Sequence, residues 1–142
     1  MTSAASKLRH FHVSFFATVM GVSGLALAWQ RAHQVLGVPR VIGQSLALAS
    51  ALLFVLVTAS YGLKLLRHRD AVREELHHPI KLSFFPAFSI SLALLAMLAL
   101  TTSVPLARTL WLASAAVHLL LTLYVMTQWI YQPHFTIQHS TP

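Results

Sequence analysis

Residues 82–100 run for roughly twenty positions without a charge, the length an α-helix needs to cross about 30 Å of hydrocarbon. Three other runs have the same character, and together the apolar segments fall at 11–29, 42–66, 82–101 and 106–130. With 56% hydrophobic and only 9% charged residues, the composition is that of a polytopic membrane protein rather than a soluble domain. The expected fold is therefore all-α: a polytopic membrane protein with one membrane domain over 1–142 and four transmembrane helices. Pro86, near the start of the third run, would kink a soluble core helix. A membrane span tolerates it when hydroxyls satisfy the freed carbonyl, and Ser83, Ser89 and Ser91 are at hand.

The formal net charge is +7, but the Lys and Arg residues sit in short connections between apolar runs rather than on one polar face, which excludes a nucleic-acid partner. They read as topology signals facing a lipid bilayer. Lys7 and Arg9 precede the first span, and Lys64, Arg67, Arg69, Arg73 and Lys81 surround the middle connection. Arg31, Arg40 and Arg108 lie on the other side, so the positive-inside rule places the N-terminus and the chain's other end in the cytoplasm. There is no cysteine, and thus no disulfide framework or thiolate metal site.

Within the first span, Ala17, Gly21, Gly24 and Ala28 form a small-residue strip suited to close helix approach. Residues 67–81 hold all three acidic residues, Asp70, Glu74 and Glu75, and read as a solvated loop. The segment His12-Val13-Ser14-Phe15-Phe16-Ala17 recurs sixty-nine residues later as Lys81-Leu82-Ser83-Phe84-Phe85-Pro86, which makes the four spans two repeated helical hairpins.

No Asp, Glu, Lys or Arg lies well inside any apolar run, so His118 is the central titratable candidate. Ser114 and Thr122 share its face, and that seam serves either interhelical hydrogen bonding or a wet path. A haem-binding redox protein is disfavoured because the other histidines lie at or outside span ends, which leaves His118 without a partner imidazole at matching depth. His77 and His78 lack a carboxylate that would complete a metal motif, so no cofactor and no metal is expected. Phosphate loops, serine elbows and paired acid/base carboxylates are absent from the sequence, and an enzyme is not expected.

What remains is a set of hydroxyls and small residues. Ser14, Thr18 and Gly21 follow one face of the first span, while Ser83, Ala87 and Ser91 follow the corresponding face of the third. With Pro86 shaping the helix, these residues suit either a passage for anions, the hydroxyls acting as donors, or simple helix packing.

His10-Phe11-His12-Val13-Ser14-Phe15-Phe16, the 21–29 run, His78-Pro79 followed by Ser83-Phe84-Phe85-Pro86, Trp111, His118, Trp129-Ile130 and the closing 135–142 stretch together resemble the TehA-like tellurite-resistance and C4-dicarboxylate transporter family, which includes the plant slow anion channels. The resemblance implies ten spans in five hairpins around a quasi-fivefold axis, with odd-numbered helices lining a pore, and trimers in a bacterial inner (plasma) membrane. It implies an anion channel or transporter for small inorganic anions or C4-dicarboxylates, with pore-lining candidates Ser14, Thr18, Gly21, Ser83, Pro86 and Ser91. His12 departs from the proline common in relatives, and the late inner helix that carries the family's gating phenylalanine is missing. Met1 reads as a beginning and Pro142 falls inside a motif, so the expectation is an N-terminal portion that is incomplete as a lone chain. The alternative is a non-conducting membrane fragment acting only by helix association.

Overall fold

The computed structural model describes residues 11–131; the basic lead and the closing 135–142 stretch lie outside the described residues. A 3-10 turn, Val13–Phe15, feeds α1 (Phe16–Leu36), followed by α2 (Arg40–Arg67), α3 (Arg69–Leu76), α4 (Pro79–Leu82), α5 (Pro86–Ala99) and α6 (Val104–Tyr131). Four segments are long and apolar enough to cross a membrane: Val13–Leu36, Arg40–Arg67, Ile80–Ala99 and Val104–Tyr131. The described part is helical without strands, as an integral membrane protein of this class requires, because helices satisfy their backbone polar groups internally.

Local chemistry sets the ends. The entry turn is capped by His12, whose Nδ1 accepts from the Ser14 backbone N–H at 3.2 Å. Gly37 ends α1 in the left-handed region at φ 70°, where a side chain would be strained, and its N–H reaches the His33 carbonyl at 3.1 Å. Pro39 then allows α2 to start afresh, and at 28 residues α2 is about 42 Å long, more than one bilayer core.

Pro86 does not kink a continuous span. The chain breaks over 83–85, and Pro86 becomes the first residue of α5, where its missing N–H would have had no helical partner anyway. The Leu82 carbonyl that Pro86 cannot serve is taken by the Phe85 N–H at 3.2 Å.

Helix α1 packs against α2 and α5, and α5 packs against α6, so the two hairpins α1–α2 and α5–α6 meet through their leading helices. At the junction Val13, Phe16, Val19, Val57 and Ala87 form a core ringed by aromatic side chains. Phe88 meets Phe16 edge-on at 5.3 Å and stacks on Phe54 at 5.5 Å. Large apolar residues such as Leu52, Leu56, Leu120 and Met126 point outward, while Ser23, Ser50, Ser89, Ser91 and Ser114 are buried. That inversion follows from the solvent: lipid is as apolar as leucine, so helices associate through small residues and hydroxyl contacts.

The connection over 67–81 corrects the expectation of a solvated loop. It contains α3, an eight-residue helix whose Val72 and Glu75 are buried against the hairpin end.

Candidate functional site

On α1 the packed face comprises Phe16, Val19, Ser23 and Ala26. The opposite strip, with Thr18, Gly21, Gly24 and Ala28, is exposed, and a side chain built at Gly21 or Gly24 would meet nothing within 4 Å. The small residues of this strip thus play no part in helix packing among the described residues, and the strip stays open to a further helix. Ser14 is half-buried at the start of the same strip.

The hydroxyl protons there are already engaged. Thr18 Oγ1 donates to the Phe15 carbonyl at 2.6 Å. Ser14 Oγ lies 2.9 Å from His12 Nδ1, the atom that also accepts the Ser14 backbone N–H and so has its lone pair turned to both donors. The strip therefore presents small, neutral surface, not free donors, to its open side.

On the second hairpin, Ser83 is exposed in the break before α5 and Pro86 is half-buried. Ser91 is placed differently from the other candidates. It is fully enclosed, with its hydroxyl 2.7 Å from the Ala87 carbonyl and 3.2 Å from the Phe16 carbonyl of α1. Ala87 is also buried, so the 87–91 face of α5 turns into the α1 contact instead of matching the open strip of α1, while Ser83 stays exposed before the helix.

His118 makes an interhelical bond, the first of the two roles considered for its seam. Ser89 Oγ donates its proton to the Pro86 carbonyl at 2.8 Å, which leaves the oxygen to accept from His118 Nδ1 at 2.9 Å. The imidazole thereby pins α6 to α5. Nearby, the buried Ser114 bonds its own helix at Trp111.

A polar cluster at the α2–α3 end was not foreseen. Lys64, 1% exposed, donates to Glu75 Oε1 at 2.7 Å and to the Phe11 carbonyl at 2.7 Å. Tyr61 donates its hydroxyl to Glu75 Oε2 at 2.9 Å, and the ammonium lies 5.6 Å from the Tyr61 ring centre. One ion pair thus joins the entry to α1, the end of α2 and the connecting helix. The available signal was the three-residue spacing of Tyr61 to Lys64 and of Val72 to Glu75, each pair on one helical face.

The geometry defines a class: a membrane protein of repeated helical hairpins whose leading helix keeps a small, uncharged face open. Comparison with known proteins then specifies the relationship, since the family model described as "SLAC1: Voltage-dependent anion channel" matches residues 10–142, and the chain belongs to that family. It is 34% identical over 130 residues to S-type anion channel SLAH2 of Arabidopsis thaliana, covering 87% of this chain and 25% of that protein. With S-type anion channel SLAH3 of the same plant it shares 36% identity over 95 residues, 63% of this chain and 15% of the relative. The Tellurite resistance protein TehA homolog of Haemophilus influenzae is 26% identical over 77 residues, 54% of this chain and 24% of its own length. The chain thus spans a quarter or less of the length of these relatives. No solved structure matches it.

Proposed function

We propose that this chain forms the first two hairpins of an anion channel or transporter in a bacterial inner membrane, with its N-terminus in the cytoplasm, and that its cargo is a small inorganic anion or a C4-dicarboxylate. The observation that carries this reading is the open strip of α1. A helix whose small, neutral face is left unpacked while its opposite face is fully used is suited to line a passage. Ser14, Thr18 and Gly21 line it from α1, and Ser83 and Pro86 from the approach to α5; Ser91 supports the α1–α5 contact behind them. No acidic residue shares this strip, so nothing there repels an anion, and the hydroxyls would have to turn from their present partners to donate to one. The remaining hairpins and a trimeric assembly would complete the enclosure, and the reading involves neither catalysis nor a cofactor.

The same strip supports a second reading, because Gly21, Gly24 and Ala28 would also fit the backbone of another helix. Anion flux into liposomes separates the two. Chloride or nitrate uptake, with malate as competitor, is measured for the 142-residue chain and for a form extended through its native downstream sequence. Gly21→Leu should leave thermal stability unchanged, since its side chain meets open space, while reducing flux of the extended form severalfold. Parent-level flux from Gly21→Leu would reject the lining role, and dissociation of an oligomer by that substitution would favour helix association.

A further inference from the structure

At the hairpin end opposite Lys64, a cavity of about 220 Å³ is lined by Trp29, Gln30, His33, Gln34, Arg40, Gln44 and Thr101. Trp29, Gln30 and His33 continue the packed face of α1 beyond Ala26, so the cavity lies on a different side of the helix from the open strip. Two of its lining side chains are held in place. Trp29 Nε1 donates to the Pro39 carbonyl at 3.0 Å, and His33 Nδ1 donates to the Val38 carbonyl at 2.6 Å, which leaves Nε2 as the free ring nitrogen. Gly43 lets the Trp29 ring lie against α2, for a side chain there would sit 3.3 Å from Trp29 Cδ1.

The polar groups facing this space have capacity to spare. Arg31 donates to Gln34 Oε1 at 3.0 Å, fixing that carboxamide so that its NH2 is the unused end. Arg40, Gln30 and Gln44 have no side-chain partner among the described residues, and Arg40 opens α2, which has no side-chain cap. A guanidinium with a planar fork of donors, carboxamide NH2 groups and an uncapped first helical turn all favour oxygen anions. All three acidic residues of the chain, Asp70, Glu74 and Glu75, lie in α3 at the far end.

From this arrangement we infer that the cavity is an oxyanion site, roomy enough for a phosphate or carboxylate group, with Arg40 as its principal contact. Free anion from water and the phosphate of a lipid headgroup share this chemistry. The site is independent of the open strip and stands whether or not the chain conducts.

The test uses the full chain in neutral detergent with Trp111→Phe and Trp129→Phe, so that Trp29 alone reports. Inorganic phosphate and a short-chain phosphatidylglycerol are titrated separately while its emission is followed. A saturable change is expected, weakened at least tenfold by Arg40→Gln and severalfold by Gln44→Leu, with Arg108→Gln unaffected and helicity by circular dichroism equal in all variants. Saturation by phosphate alone identifies a free oxyanion, saturation by the lipid alone a headgroup, and saturation by both the shared chemistry. The proposal is overturned if neither probe saturates, if both Arg40→Gln and Gln44→Leu bind like the parent, or if Arg108→Gln weakens binding as much as Arg40→Gln.

Discussion

Glu75→Ala should be the most damaging single substitution outside the aromatic core. It strands the Lys64 ammonium, 1% exposed, with the Phe11 carbonyl and the Tyr61 ring as its remaining partners, and also removes the acceptor of the Tyr61 hydroxyl. Breaking a buried ion pair from one side costs about 3–5 kcal/mol, because the surviving charge stays desolvated. Replacing both charges with apolar residues of similar volume removes the stranded charge but leaves the Tyr61 hydroxyl and the Phe11 carbonyl unpaired, so Lys64→Met/Glu75→Leu should cost about 1–3 kcal/mol, less than Glu75→Ala alone. The assay is reversible unfolding by SDS in mixed micelles, followed by circular dichroism, for both single variants and the double. A double-mutant cycle with a coupling of several kcal/mol is expected. A Glu75→Ala cost below about 1 kcal/mol, or additive single costs, would show that Lys64 reaches water and that the cluster is not a desolvated unit.

Two further substitutions probe the helix contacts. Gly43→Val drives a branched side chain into Trp29 Cδ1 and should cost about 1–3 kcal/mol by overpacking, with a red shift of Trp29 emission as the ring leaves its place; an unchanged emission maximum would refute the close approach. For the Ser89–His118 bond, a double-mutant cycle with Ser89→Ala and His118→Ala should give a coupling near the membrane average of about 0.6 kcal/mol, and zero coupling would mean that the seam is held by shape alone.

Much of the fold was legible because each span announces itself locally. A charge-free run of sufficient length needs no knowledge of its neighbours, and the recurrence of Ser-Phe-Phe marks where each hairpin begins. Which face of a span packs is a different matter. Ser91 and Thr18 are both hydroxyl residues near the start of a leading helix, yet one is sealed against the Phe16 carbonyl and the other is exposed; that depends on the crossing of α1 and α5, which residue type does not encode. Residue type also does not show that Phe16 and Val19, rather than Gly21 and Gly24, make the contacts of α1 among the described residues. Likewise the partner of Lys64 lay in a segment whose composition reads as solvated, and its recognition required knowing that α3 folds back on the hairpin.

The Lys64 cluster also has a mechanical meaning. Three stretches of backbone meet at one ammonium, so the beginning of α1, the end of α2 and all of α3 must move as one piece unless several kcal/mol is supplied. The α1–α5 seam is held by rings, methyl groups and the 3.2 Å Ser91 contact, none of which fixes a register so firmly. Between the two hairpins the compliant joint is therefore that seam, and the first hairpin with its connecting helix is the stiffer body on one side of it.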